Sequence, residues 1–195
     1  MKTKLLIYCS MLLIVTVGFS QQRDRGTIEL VPNIGATGSN LYGEDIEDTD
    51  NRYGLQAGVL VDYYFNNRWS IRSGLSYFNM GAKDDFIELK LDYVNIPINA
   101  NWHFGSTRKW NLNFGMIPGF LVKADSEGYD VTELFKSFQL GLSYGIGYKL
   151  EISESFALLI DYQGVVGLSN IADDSDVSST MNTGSSINLG AVIIL

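Results

Sequence analysis

Residues 138–150 read Phe138-Gln139-Leu140-Gly141-Leu142-Ser143-Tyr144-Gly145-Ile146-Gly147-Tyr148-Lys149-Leu150. Every second residue, from Phe138 to Leu150, is large and apolar. The residues between them, from Gln139 to Lys149, are small or polar. A repeat of two is the mark of a strand whose faces meet different surroundings. The same alternation recurs at 53–65, 69–79, 110–122, 156–166 and 187–195, and less cleanly at 27–37.

In 87–104 the apolar parity changes. Leu89, Leu91 and Tyr93 are apolar at odd positions, whereas Ile96, Ile98, Ala100, Trp102 and Phe104 are apolar at even ones. One inserted residue near Val94–Asn95 would re-aim the faces, so the sequence predicts a β-bulge there. Pro97, which lacks a ladder donor, favours an irregularity at the same place. Eight strands are favoured over ten.

The connections alternate in length. Asn66–Arg68, Gly105–Lys109 and Glu151–Ser155 are short, while Ser39–Asn51, Met80–Phe86, Asp125–Lys136 and Gly167–Ser186 are mostly longer. Short turns at one rim and long loops at the other predict an all-β, antiparallel, up-and-down transmembrane barrel with both termini in the periplasm. Strands of about 9–11 residues are long enough to cross a bilayer.

Composition narrows the class further. The 195 residues suit one domain. One Cys excludes a disulfide framework, and one His leaves little for a His-rich metal site or a Ser-His-Asp triad. The net charge of -8 argues against nucleic acid as a partner. Residues 1–21 read as a signal peptide: Lys2 and Lys4, then the apolar run Leu5–Val17, then Gly18-Phe19-Ser20. Residues 22–195 are left as the barrel domain. Losing Lys2 and Lys4 with the signal peptide leaves 12 bases against 22 acids, net -10. No cofactor is expected.

A soluble lipocalin-like ligand binder also has eight strands, but it turns its apolar face inward. Here the second face is mostly Gly, Ser, Asn and Gln, which suits a packed interior. The aromatic residues point the same way. Trp69, Trp102 and Trp110 flank the short turns together with Phe65, Phe104 and Phe156, forming a periplasmic girdle; Tyr53, Tyr77, Phe120 and Phe138 lie toward the other strand ends. Two such bands mark membrane interfaces.

The stretch Leu91-Asp92-Tyr93-Val94-Asn95-Ile96-Pro97-Ile98, with the Gly-rich strands and the Gly-Phe-Ser-Gln end of the signal peptide, resembles the outer-membrane barrel family common in Bacteroidetes, the PorT-like group. More distantly it resembles the OmpX and OmpA barrels. The resemblance covers 26–195. It implies an integral protein of the Gram-negative outer membrane, in some members linked to protein secretion. Such barrels often end in an aromatic residue; this chain ends Ile193-Ile194-Leu195.

Eight strands enclose a space that side chains can fill, so an open pore is not expected. The inward face carries Glu29, Asp62, Arg72, Lys90, Asp92, Lys149 and Asp161. Pairing the second and third strands about Asn67 sets Phe65 opposite Trp69 and Asp62 opposite Arg72. The sequence therefore predicts a structural charge network of Glu29, Asp62, Arg72, Lys149 and Asp161. His103 faces inward opposite Asn111, with no Ser or carboxylate placed beside it by the sequence. It is read as a structural histidine, and no residue is assigned a catalytic role.

The long loops hold 14 of the 22 acids, including Glu44, Asp45, Glu47, Asp48 and Asp50, then Asp173, Asp174 and Asp176. Neither run matches an EF-hand, so these are read as solvated acids rather than a Ca²⁺ site. The loop Gly167–Ser186 is expected to be mobile.

The function expected is non-enzymatic: a structural, surface-interaction or secretion-accessory barrel. A small-solute transporter and a lipid-active enzyme are the competing readings. Expected partners are outer-membrane lipid and lipopolysaccharide, the barrel-assembly machinery, and an envelope or secretion protein that the sequence does not identify.

Overall fold

A computed structural model describes residues 23–43, 46, 49–84, 87–173 and 179–195. The signal-peptide reading of 1–21, and the loop acids Glu44, Asp45, Glu47, Asp48, Asp85, Asp174 and Asp176, lie outside the described residues.

Period-2 segments become ten strands: β1 (Ile28–Gly43), β2 (Asp50–Asn66), β3 (Trp69–Lys83), β4 (Glu88–Asn95), β5 (Ile98–Phe104), β6 (Trp110–Ser126), β7 (Tyr129–Asp130), β8 (Phe138–Glu151), β9 (Phe156–Gly167) and β10 (Thr180–Ile194). They make eight staves. β4 and β5 are two halves of one stave, each lying between β3 and β6, and β7 is a two-residue offshoot of β6. All pairings are antiparallel. The ring closes where β1 meets β10, from Glu29↔Ile194 to Gly43↔Thr180. A closed ring leaves no edge, so every ladder group is satisfied inside a bilayer.

The strands run further than their alternation showed. β1 and β2 reach Gly43 and Asp50, so most of the expected 39–51 loop is strand. Much of the expected 167–186 loop is built into the barrel: β9 ends at Gly167, β10 starts at Thr180, and Ile171 between them is buried, while 174–178 lie outside the described residues. A 17-residue strand rises about 43 Å at a tilt of about 40°, well beyond an apolar band of about 25 Å. The staves therefore extend past the membrane on the long-loop side.

That extension explains the parity change in 87–104, where no face is re-aimed. Leu91, Tyr93, Asn95, Pro97, Asn99, Asn101 and His103 are all buried, so odd residues point inward throughout. Ser76↔Asn95 and Ser73↔Ile98 keep one register across the Ile96–Pro97 break. The surroundings change instead. In the membrane the outside is lipid and the inward row of this stave, from Asn95 to His103, is mostly polar; above it the outside is water and the inward Leu91 and Tyr93 join an apolar cluster. Lys90 and Asp92, expected inside, sit on the outer face of this upper section; the Lys90 side chain is 42% exposed. The bulge lies one stave over, where Val122 of β6 has no partner between Asp92↔Lys123 and Tyr93↔Leu121.

The outward rows define the membrane slab. Tyr77, Val94, Phe120 and Phe138 lie in one cross-strand row. Phe104 lies ten residues along the stave from Val94, a rise of about 25 Å at that tilt. Ile98 is near the midplane and 49% exposed. Ile98→Arg is expected to cost about 2–4 kcal/mol, as lipid-facing charges do at that depth. Urea unfolding of the barrel in lipid vesicles would measure it, and a change near zero would remove Ile98 from the lipid face.

Candidate functional site

Inside the periplasmic half lies a buried ionic network. Glu29 of β1 and Asp62 of β2 are direct cross-strand partners. Two carboxylates in that position repel unless cations separate them. Lys149, from β8 across the lumen, supplies one: its Nζ donates to Glu29 Oε2 and to Tyr64 Oη (2.8 Å) and lies 3.6 Å from Asp62 Oδ2. Tyr64 Oη in turn donates to Glu29 Oε2 at 3.1 Å. Arg72 supplies the other, donating from Nε and Nη2 to the two Asp62 oxygens at 2.7 and 2.9 Å. Its Nη1 lies 4.0 Å from Asp161 Oδ2. Asn101 Nδ2 also donates to Asp62 at 3.3 Å, and Asn111 to Asn101.

The network reaches the periplasmic mouth. Arg23 Nε donates to Glu29 Oε1 at 2.7 Å, and Arg23 Nη1 lies 3.5 Å from Glu151 Oε1. Lys109 Nζ is 3.6 Å from Glu151 Oε2. Four bases meet four acids, so the cluster is neutral as a whole. All five sequence-predicted members, Glu29, Asp62, Arg72, Lys149 and Asp161, lie in this cluster. Tyr64, Asn101, Arg23, Lys109 and Glu151 were not named. Tyr64 and Asn101 had the inward parity that could have found them, but Arg23 precedes the first strand and carries no periodic signal.

Two local expectations are corrected. Phe65 does not oppose Trp69: a register shift after Tyr64↔Ser70 pairs Asn66 with Trp69 and leaves Phe65 in a bulge. His103 does pair in register with Asn111, but Ser70 Oγ stands 2.9 Å from His103 Nε2, and Tyr64 stacks on the imidazole at 4.7 Å. Ser70 is brought there by the β3–β5 ladder, through Ser70↔Asn101, which no local spacing encodes. Both side chains are about 1% exposed.

Above the network lies a cavity of about 30 Å³, lined by Gln56, Leu60, Arg72, Ser76, Ile117 and Asn188 among others. Gln56 Oε1, Arg72 Nη1, Ser76 Oγ and Asn188 Oδ1 are buried without a protein hydrogen-bond partner. Buried polar groups commonly take interior water as their partner, and this volume has room for about two molecules.

An apolar plug closes the extracellular half. Phe78, Met80, Leu91, Tyr93, Ile117, Ala124, Val165 and Ile171 pack together, with Val131 and Phe135 of a loop against them. Two loops pair with each other against this plug. Phe135 bridges Ala172, Lys136 N donates to Ile171 O, and Asp173 N to Leu134 O. Asp130 starts the first of these loops by accepting from Thr132 Oγ and N, which holds its carboxyl below the usual carboxylate range. Among the described residues, no three of His, Cys, Asp and Glu group as a metal site. No described helix is long and apolar enough to cross a membrane.

On the outside, the periplasmic rim carries a ribbon of rings: Trp69–Trp102, Trp102–Phe104, Phe104–Trp110 and Trp110–Tyr148, with centroids 6.3, 5.2, 6.3 and 4.9 Å apart. Phe65 faces outward beside Tyr63, and Phe156 is half-buried at the start of β9.

The family model for the outer membrane protein beta-barrel domain matches residues 19–173, well over half of the chain. The chain belongs to this outer-membrane β-barrel family. Solved structures agree in fold. Neisserial surface protein A is 12% identical with a TM-score of 0.56, covering 87% of this chain and 99% of that one. OprG from Pseudomonas aeruginosa is 12% identical with a TM-score of 0.53, covering 89% and 98%. AlkL, an outer membrane protein solved by solid-state NMR in DMPC bilayers, is 12% identical with a TM-score of 0.54, covering 91% and 94%. At such identity the likeness is one of fold. No curated protein matches the sequence. This outer-membrane barrel thus places its ring of eight staves in the cell outer membrane, with short turns periplasmic and long loops outside.

Proposed function

We propose that this outer-membrane barrel is a non-enzymatic protein that acts through its surface, as a structural, surface-interacting or secretion-accessory component, rather than through its lumen. The observation that carries the reading is double closure. Among the described residues, the ionic network with the small apolar cluster of Val31, Leu60 and Leu159 occupies the periplasmic half of the lumen, the apolar plug with its paired loops occupies the other, and a water-sized cavity lies between them. A solute has no continuous path through such a lumen. The Ser70–His103 pair lies inside this sealed space, behind Arg23 and Lys149, where a lipid ester cannot reach it. The Leu91–Ile98 stretch supports placing the chain in the PorT-like group. Lipopolysaccharide and the barrel-assembly machinery are the partners this reading implies, together with an envelope or secretion protein.

Single-channel recording on planar bilayers tests it. The purified barrel is expected to give no stable conductance steps. Reproducible steps would overturn the closed-lumen reading in favour of small-solute transport. Steady release of fatty acid from phospholipid or lipopolysaccharide would overturn it in favour of an enzyme.

A further inference from the structure

We propose that the periplasmic rim beneath the aromatic ribbon is a binding surface for the anionic headgroups of inner-leaflet phospholipid. Charge on this protein is unevenly divided: the periplasmic rim holds Arg23, Arg25, Arg68, Arg108 and Lys109 against Asp24, Glu151 and Glu154, and its bases are concentrated in two turns. The sequence is acidic as a whole, at net -8, and 14 of its 22 acids lie in the long loops on the opposite side. On the periplasmic side the turns 66–68 and 105–109 carry Arg68, Arg108 and Lys109 and no acid. These turns lie directly below the ring ribbon: Arg68 precedes Trp69, and Arg108 and Lys109 precede Trp110. The two turns are joined across the rim, since His103 N donates to Arg68 O and one small pocket is lined by Asn67, Arg108 and Lys109 together.

Their engagement inside the protein is unequal. Lys109 is mostly buried and faces Glu151. Arg68 is exposed. Arg108 has a positive φ of 56° and turns its Nη1 back onto Gly105 O; its Nε is buried with no protein partner. Arg68 therefore stands exposed at the depth of the aromatic ribbon, and Arg108, whose side chain also lines the pocket at the lumen mouth, is partly exposed beside it. Interfacial aromatics fix that depth. Guanidinium forks match phosphate oxygens with paired donors, and a negatively charged leaflet draws bases toward it. The ribbon covers one side of the barrel, so the lipid contacted is an arc under β3, β5, β6 and β8 rather than a full ring.

The test uses the full mature chain, reconstituted in vesicles of phosphatidylcholine mixed with phosphatidylglycerol. After gentle extraction, the phospholipid retained on the barrel is counted by native mass spectrometry. Phosphatidylglycerol is expected to be enriched several-fold over its share of the vesicle. The enrichment should fall as salt rises, because screening shortens the reach of exposed charges. The double variant Arg68→Gln/Arg108→Gln should retain the two lipids in the vesicle ratio, while Lys83→Gln at the opposite end keeps the enrichment. Heat-modifiable gel mobility checks that each variant is folded. Retention in the vesicle ratio by the unaltered protein overturns the proposal, as does undiminished enrichment in a folded double variant. If the double variant does not fold, enrichment by the unaltered protein that ignores salt overturns it instead.

Discussion

Replacing Arg72 with alanine is expected to lower the unfolding free energy of the barrel by about 3–5 kcal/mol, the range for breaking a buried ion pair from one side. Arg72 is 1% exposed and Asp62 fully buried. Its two bonds to Asp62 are the shortest link between β3 and the acids of β1 and β2. Without Arg72, Asp62 faces Glu29 with only Lys149 between them, and Lys149 is already bonded to Glu29 and Tyr64. Asp62→Ala is expected to cost a similar amount for the converse reason. It leaves Arg72 only Asp161, at 4.0 Å, a distance too long for a direct hydrogen bond. The double variant should lose clearly less than the two single losses combined, because it leaves neither charge stranded. Urea unfolding of the three variants in lipid vesicles, followed by tryptophan fluorescence, reads this directly. Strictly additive losses would show that the two charges are solvated separately.

Leu91→Ala is expected to cost about 2–5 kcal/mol, the range for truncating a buried leucine. Leu91 is fully buried in the apolar plug, although it lies in a strand that crosses to the outer surface of the cell. If the faces were re-aimed at Val94–Asn95, Leu91 would point into water and its truncation would be nearly silent. Cysteine labelling makes the same distinction without unfolding. The barrel domain has no cysteine of its own, since Cys9 lies upstream of it. Lys90→Cys should react with a membrane-impermeant maleimide on intact cells, and Leu91→Cys should not. The reverse pattern would put the inserted residue back in this strand.

These two residues mark the boundary between what was legible and what was not. The fold was legible because period 2 is a local signal: 53–65 and 138–150 state their two faces outright, and the alternation of short and long connections states which rim is which. The Asp62–Arg72 juxtaposition was also local, because a hairpin with a short turn fixes its own register for several rungs. The pairing departs from that register at Phe65, where a bulge slips Asn66 onto Trp69, and again between Asn51 and Gln56 at the far end.

The contacts across the lumen were not legible. Lys149 meets Glu29 although 120 residues separate them, and β8 is not a neighbour of β1 in the ring. Ser70 meets His103 through a ladder that pairs β3 with β5. Nor could alternation tell a change of face from a change of surroundings. In 87–104 the sequence records only where apolar residues fall, and the same swap of parity follows from a bulge or from a barrel whose inside turns apolar where its outside leaves the lipid. By itself, then, the sequence determined the ring of alternating strands, their order, and the membrane they suit, because each depends on residues near one another in the chain. The tertiary structure decided where the bilayer ends along each stave, which acids share which bases, and that the lumen is closed twice. Those depend on which strands the closed ring sets facing one another, and on the medium outside each rung.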